Sequence, residues 1–418
     1  MKREVRREVT ALGVVLAVAL ALRVAYILSR QGDLLFDHPV VDEERYVVMG
    51  RALAAGQVPD PRPWFHPPGL TYALGLVFKV AGSGLMAPRL VQALVGTASI
   101  ALAYVVAKRL LGPRVALATA AVCAVHGVLV FECYELLPPV WMLAADLLAL
   151  WALLRAGDKQ RWGDALGAGA ALGVASIFGP TVLPFAALGA WWLRRPPLVG
   201  AFVVGVVLAI APVTARNWQS GHELVLISTN GGINFYLGNN EHYDETLAIR
   251  PGVHWDELKD RPHHSGVESE GGASAWYYQQ GLAFWREHPA QAASLYARKL
   301  YLYFDGPEIP RDTDVQTLRS GPLSVLVSGR SPYVPDGILV PLALVGMALC
   351  WRERRRLWLL HGFVAEQALV VAAFFVSSRY RVPAVPVLAM FACEGVRRVN
   401  EAWREPGSLV RRVVPSVA

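Results

Sequence analysis

The sequence predicts an all-α polytopic membrane protein, and composition, hydropathy and recurring apolar runs each point to that fold class. The 418 residues are 54% hydrophobic and only 17% charged, whereas soluble domains carry about 25% charged residues. The mean hydropathy is +0.35. Apolar runs of spanning length recur along the chain, and a hydrocarbon core of about 30 Å needs roughly 20 such residues per helix. We therefore predict about ten transmembrane helices.

The predicted spans are ten apolar runs. They cover residues 9–29, 88–108, 113–131, 138–156, 163–178, 180–193, 197–215, 336–351, 357–377 and 382–397. The two short runs on either side of Gly179-Pro180 could instead form one broken hairpin. The first run is too long for a cleaved signal peptide and has no small-residue exit.

The positions of the basic residues predict the orientation of these spans. Lysine and arginine cluster at the N-terminal tail, at 108–114, 155–161, 194–195 and 352–356, and in the C-terminal tail. With both termini in the cytoplasm, all of these clusters fall inside, as the positive-inside rule requires. The net charge of +7 then follows from topology, and nucleic acid is not an expected partner. The protein is predicted to lie in the cell membrane.

One further apolar run, residues 69–86, does not fit this alternation. Counting it as an eleventh span would invert every later loop and place the basic cluster 352–356 outside. We therefore predict a juxtamembrane helix at the outer interface, with Lys79 extending its amine to water.

The chain is predicted to have three parts. Residues 1–215 form an N-terminal transmembrane module with a catalytic first external loop at 30–87. Residues 216–335 form a mostly helical external loop region, and residues 336–418 a C-terminal transmembrane module with a cytoplasmic tail.

The most informative cluster is Asp42-Glu43-Glu44-Arg45-Tyr46, shortly after the first span. A carboxylate at a membrane face can accept the proton of a hydroxyl as that hydroxyl attacks. Acidic residues are also common in the first turn of ordinary helices, so the cluster alone leaves both interpretations open.

A second cluster is His66-Pro67-Pro68-Gly69, whose prolines restrict the chain before the juxtamembrane helix. His38, Asp42, Glu43 and His66 offer ligand types suited to a metal. Their spacing matches no compact metal motif, so we predict no metal or other cofactor, with a divalent ion as the alternative.

Other candidates lie at predicted external span ends. Glu135, with Glu132, flanks the turn after the third span, where an acid needs water or a partner. The basic candidates are Arg89, Arg216, Arg379 and Arg381. The last two run against the positive-inside preference, and guanidinium suits two-point binding of phosphate.

Several nucleotide and hydrolase motifs are missing from the sequence. It contains no Walker A loop, no G-x-G-x-x-G before a helix, no H-E-x-x-H and no G-x-S-x-G. Cytosolic nucleotide chemistry is therefore not indicated.

Four motifs in order resemble the GT-C superfamily of polyprenyl-phosphate-dependent glycosyltransferases. The nearest branch is similar to bacterial relatives of protein O-mannosyltransferases and aminoarabinose lipid A transferases. The motifs are Asp42-Glu43 with Tyr46, His66-Pro67-Pro68-Gly69, Asn217 with Ser228–Asn234 and Gly238-Asn239-Asn240, and Arg379-Tyr380-Arg381-Val382-Pro383. Many relatives have a basic residue before Pro-Thr where this chain has Phe178-Gly179-Pro180-Thr181, which shifts the expected phosphate contact to Arg379 and Arg381.

The resemblance implies an inverting glycosyltransferase with its active site outside. Asp42 would be the base with Glu43 as its neighbour, and Glu135 would correspond to a second acidic position. The donor would be a polyprenyl-phosphate sugar, and the acceptor a protein, glycolipid or polysaccharide hydroxyl. The alternatives are a polytopic transporter or flippase for lipid-linked sugars, and a non-catalytic lipid-binding scaffold.

Overall fold

The computed structural model describes residues 2–58, 60–249, 252–305, 309 and 336–404, and these ranges are helical without a strand. The first helices are α1 Lys2–Ser29, α2 Leu34–Asp37, α3 Val41–Ala54, α4 Gly69–Ala81, α5 Met86–Leu111, α6 Pro113–Val125 and α7 Gly127–Phe131. Next come α8 Pro139–Lys159, α9 Trp162–Phe178, α10 Phe185–Leu193, α11 Pro196–Gly221, α12 Gly231–Gly238 and α13 Tyr243–Ala248. The last are α14 Val253–His264, α15 Glu270–Glu287, α16 Pro289–Phe304, α17 Asp336–Leu349, α18 Arg354–Ala373, α19 Ser378–Arg381 and α20 Val385–Arg404.

The all-α polytopic membrane fold predicted from the sequence is confirmed. Among the described residues, α1, α5, α8, α11 and α18 are long and apolar enough to cross a membrane, and α4, α6, α9 and α17 are shorter apolar helices. Every predicted span contains a helix. The span 113–131 is broken at His126, and a 3₁₀ turn at Pro180–Val182 precedes α10.

Helices α9 and α11 pack in direct backbone contact through glycine. A Cβ on Gly169 would lie 1.9 Å from the carbonyl oxygen of Phe202, and one on Gly205 would lie 2.2 Å from that of Leu166. Small residues allow this approach, and close packing is the main source of helix association in lipid. The contact between α9 and α11 fixes the end of α9, which carries Phe178 and leads into Gly179.

Contacts between distant residues show that helix ends gather at two opposite ends of the bundle. At one end, Arg89 at the start of α5 donates to the carbonyls of Phe36, after α1, and Tyr134, after α7. At the other, Lys108 pairs with Glu8 at 2.5 Å, and Arg109 pairs with Asp158. This grouping agrees with the predicted alternation of spans.

The juxtamembrane helix α4 lies against α3 at the first of these ends. A Cβ on Gly50 would lie 2.9 Å from the Cβ of Leu74, so the two helices pack closely. Leu76 and Val80 expose 65% and 81% of their surface on the far side. The 13 residues of α4 extend about 20 Å, as do the 13 residues of α6, so the juxtamembrane position of α4 is still a prediction from the alternation of the basic clusters.

The region predicted to be an external loop forms helices α12 to α16, with residues 306–308 and 310–335 outside the described part. Its two longest helices, α15 and α16, are separated at His288, before Pro289. The fully buried Lys299 of α16 donates to the carbonyls of Gly238 at 2.7 Å and Phe374 at 2.8 Å. It thereby ties α12 to the end of α18.

Candidate active site

A cavity of about 870 Å³ opens where α3, the segment before α4 and the turn after α18 meet. Of the residues singled out from the sequence, Asp42, Tyr46, His66 and Arg379 line it. Arg379 is 337 residues from Asp42 in the chain. The fold brings them to one wall.

The carboxylate of Asp42 lies between two basic groups. His66 Nε2 is 3.3 Å from Oδ1, and an Arg379 guanidinium nitrogen is 3.2 Å from Oδ2. Burial opposes ionisation, but the charges and hydrogen bonds of His66 and Arg379 outweigh it and hold the pKa of Asp42 well below its ordinary value. Asp42 is therefore an ionised acceptor at the cavity wall.

Aromatic rings fix the orientation of His66. Its ring centroid lies 5.5 Å from that of Tyr46 and 4.8 Å from that of Phe65. Its Nδ1 is buried and has no hydrogen-bond partner among the described residues. Tyr46 is almost fully buried, which raises its pKa, so it is a neutral packing group at this wall.

The backbone is strained immediately before Asp42. Val41 has a φ of 57°, a left-handed conformation that is a genuine outlier for a β-branched residue. Such strain costs about 1–3 kcal/mol and clusters at functional sites. Val41 is the first residue of α3 and lines the cavity beside Asp42.

The buried Asn217 of α11 positions the segment that carries His66. Its side-chain amide donates to the carbonyls of Val225 at 3.0 Å and Ile227 at 3.1 Å, and its oxygen accepts from Trp64 N–H at 3.0 Å. Thr229 N–H donates to the Trp64 carbonyl at 2.9 Å. The Asn-rich motif after α11 is thus joined to the motif before α4.

Glu43 lies off the cavity although it follows Asp42 directly. Its carboxylate is 3.1 Å from the guanidinium of Arg89 and accepts from Leu136 N–H at 3.3 Å. Arg89 has no exposed surface. The structure therefore places these two predicted site residues inside the scaffold. There they join α3 to α5 and to the turn before α8.

Glu135, Arg216 and Arg381 also lie off the cavity. Glu135 is only 3% exposed, in the turn between α7 and α8. Arg216 donates to the Arg62 carbonyl at 2.6 Å and sits over the Trp64 ring. Arg381 is buried, donates to the Tyr303 carbonyl and pairs with Asp336 at 3.2 Å.

The rest of the cavity wall is largely apolar. It includes Met142, Phe178, Leu183, Val371 and Phe374, at the ends of spanning helices. One polar wall and an apolar remainder suit a ligand with an anionic head and a hydrocarbon tail.

Sequence reasoning missed Lys259, a polar residue of the cavity wall, and assigned no separate role to Thr229, which also lines the cavity. Lys259 is an exposed residue of α14, and Thr229 is 4% exposed in the loop before α12. Thr229 was within a motif singled out above, but Lys259 has no flanking pattern that marks it. Among the described residues, no group of three or more His, Cys, Asp or Glu side chains is placed to hold a metal ion.

Comparison with known proteins identifies a family model and a fold. Residues 65–215 match the model described as dolichyl-phosphate-mannose-protein mannosyltransferase. No curated protein matches the sequence. The apo oligosaccharyltransferase of Archaeoglobus fulgidus is similar with a TM-score of 0.54 and 13% identity, over 98% of this chain and 52% of that one.

The same archaeal enzyme, AglB, in complex with an inhibitory peptide and a dolichol-phosphate has a TM-score of 0.50 and 13% identity, with the same coverage. ArnT from Cupriavidus metallidurans bound to undecaprenyl phosphate has a TM-score of 0.38 and 18% identity, over 96% of this chain and 81% of that one. The chain spans about half the length of the archaeal oligosaccharyltransferase. The resemblance predicted from the sequence is thus confirmed at the level of the fold: this is a multi-pass helical membrane protein with the fold of the archaeal oligosaccharyltransferase, and its residues 65–215 match the mannosyltransferase model.

Proposed function

We propose that the protein transfers a sugar from a polyprenyl-phosphate donor to an acceptor hydroxyl, with inversion, at the external face of the membrane. One observation carries the proposal. The ionised Asp42 is held between His66 and Arg379 at the polar wall of an otherwise apolar cavity.

The cavity fits a lipid phosphate better than a soluble sugar nucleotide. The prenyl chain would lie along the span ends, and Arg379 would bind the phosphate through charge-assisted hydrogen bonds. The matched family model names dolichyl-phosphate-mannose, and the archaeal relative is described with a dolichol-phosphate. Both support a lipid-phosphate carrier for this chain.

In the proposed reaction Asp42 accepts the proton of the acceptor hydroxyl. The hydroxyl oxygen forms a bond to the anomeric carbon from the side opposite the phosphate. The bond between that carbon and the phosphate oxygen breaks, and its electron pair leaves with the lipid phosphate, whose growing charge Arg379 stabilises. The phosphate link already activates the sugar, so neither nucleotide nor other cofactor is required.

Arg379 links donor binding to the strength of the base. In the free protein its guanidinium helps to hold the pKa of Asp42 low, and a weak base accepts protons poorly. A donor phosphate would compete for this guanidinium and so raise the pKa of Asp42 towards its ordinary value. The base would then strengthen only when the donor is bound.

The test is transfer from radiolabelled polyprenyl-phosphate sugars in native membranes. We expect Asp42→Asn to lower transfer by about 10²–10⁴-fold, the usual contribution of a positioned base. Glu44→Gln is the matched control for Asp42→Asn. Glu44 is an exposed acid two residues after Asp42 on the same helix, and it does not line the cavity. Full transfer by Asp42→Asn at equal protein level would refute the assignment of the base.

A transporter remains the second candidate because of two acids within the bundle. Asp146 of α8 and Glu366 of α18 are 2% and 7% exposed, and ionisable residues inside membrane helices commonly mark transport paths. Two results together would favour transport over transfer. Vesicles that contain the protein would take up a solute, with the uptake abolished by Asp146→Asn, and no donor would support sugar transfer.

A further inference from the structure

A second, smaller cavity of about 190 Å³ adjoins the main one. It lies between the segment 60–65, α14 and α15, and it shares Arg45, Phe65, Thr229, Lys259 and Ser274 with the main cavity. Arg45 lies one helical turn after Asp42 on α3. The junction of the two cavities is therefore next to the base.

The carboxylates and the permanent cations around this cavity balance. Three acids, Asp60, Asp260 and Glu270, line it with three permanent cations, Arg45, Arg62 and Lys259, and with one histidine, His263. Several are already paired, with Arg62 2.8 Å from Glu270 and 3.2 Å from Asp60. A site with no net charge offers little to a phosphate or carboxylate, but it supplies both donors and acceptors to a neutral polar ligand.

A buried hydroxyl and two aromatic rings complete the lining. Thr229 Oγ1 is buried without a hydrogen-bond partner among the described residues, in a side chain that lines both cavities. Such an atom costs free energy unless a ligand or water satisfies it. Phe65 and Tyr277 add apolar surface of the kind that packs against the C–H face of a sugar ring.

We propose that this smaller cavity binds a neutral sugar ring of the acceptor, whose hydroxyl then reaches Asp42 at the junction. The inference rests on the proposed function and extends it: the acceptor is a neutral carbohydrate, as in a glycolipid or polysaccharide, and not a peptide or an anionic group. The volume corresponds to about six waters at ~30 Å³ each, room for one ring only. The remainder of the acceptor would extend into solvent past the exposed Lys259.

The probes are methyl glycosides of neutral hexoses and pentoses. Their binding to the purified full chain in lipid nanodiscs is measured by saturation-transfer NMR. Ala273 lines the smaller cavity and not the main one, so Ala273→Trp fills it. We expect this variant to weaken glycoside binding by about tenfold or more, ~1.4 kcal/mol. Gln280→Trp, exposed on the same helix, is the control and leaves binding unchanged.

Undecaprenyl phosphate binding is measured in the same samples and separates the two proposals. Retained lipid binding in Ala273→Trp shows that the variant is folded. If the wild type binds the lipid but shows no glycoside binding that Ala273→Trp weakens, the acceptor site alone is overturned. Absence of lipid binding overturns the proposed function, whatever the glycosides do.

Two further outcomes would overturn the site. One is tighter binding of methyl glucuronides or inorganic phosphate than of neutral glycosides. The other is competition between a polyprenyl-phosphate sugar and the methyl glycosides, which would assign the cavity to the donor. We expect Asp260→Asn, which removes one negative charge from the lining, to shift preference towards the glucuronide.

Discussion

At the scale of single residues, residues that are neighbours in sequence have different positions and contacts at the candidate site. Asp42 faces the cavity, whereas Glu43 pairs with the buried Arg89. Successive residues of a helix point about 100° apart, and here that rotation directs Glu43 towards Arg89 of α5 rather than into the cavity. In the same way Arg379 contacts Asp42, while Arg381 contacts Asp336.

The depressed pKa of Asp42 predicts how acid affects stability. The unfolded carboxyl has a pKa of about 3.9, above the folded one. The ionised Asp42 therefore stabilises the fold above about pH 4, and this contribution is lost as the pH falls towards the folded pKa. We expect the difference in Tm between wild type and Asp42→Asn, followed by intrinsic fluorescence, to be constant from about pH 6 to 4 and to shrink below. A difference that shrinks already near neutral pH would contradict this.

The buried pair Glu43–Arg89 predicts a loss of stability. Glu43→Gln leaves the Arg89 charge uncompensated, which typically costs about 3–5 kcal/mol. We expect the double variant Glu43→Gln, Arg89→Met to regain part of this, measured as the free energy of unfolding in mixed micelles. If Glu43→Gln instead folds normally and loses transfer, Glu43 acts in catalysis, as the sequence predicts.

At the scale of elements, the contact between α9 and α11 holds part of the cavity wall in place. The end of α9 carries Phe178, and the following Gly179-Pro180-Thr181 also line the cavity. Because Gly169 leaves no space for a side chain beside Phe202, the position of this wall depends on one glycine contact remote from the site.

We expect Gly169→Ala to destabilise the protein by about 1–3 kcal/mol, the usual range for overpacking, and to weaken undecaprenyl phosphate binding. Gly167→Ala is the matched control, since a Cβ there would meet nothing within 4 Å. Thermal unfolding and lipid binding of both variants test this. Equal behaviour of the two would contradict the tight contact.

At the scale of the whole molecule, the candidate site and the basic loops lie at opposite ends. Asp42, His66 and Arg379 lie at the end where α1 finishes, whereas Lys108 and Arg155 lie at the other, paired with Glu8 and Asp164. The positive-inside rule predicts that the second end is cytoplasmic, and the proposed function accordingly has the site outside.

Labelling of single cysteines tests this orientation. In a variant without the native cysteines, we expect a membrane-impermeant maleimide to label Ser83→Cys, near the site end, in intact cells. Lys159→Cys, exposed at the opposite end, should react only after lysis. The parent variant without cysteines controls for background, and the reverse pattern of labelling would refute an external site.

The sequence by itself determined the fold class and the approximate spans. Lipid offers no hydrogen bonds to the backbone, so long apolar segments must form helices, and apolar length is visible in sequence. It also singled out Asp42, His66 and Arg379, because short motifs carried the resemblance.

Only the tertiary structure decided which charged residues meet. The pairs Asp42–Arg379 and Glu43–Arg89 join residues that the sequence gives no means of pairing, since helix rotation and packing set their directions. Lys299 is buried and bonds α12 to the end of α18, whereas Lys259 is exposed at the cavity. No pattern in the flanking sequence distinguishes these two lysines. Side-chain environment depends on how distant helices come together, and this is a property of packing rather than of local sequence.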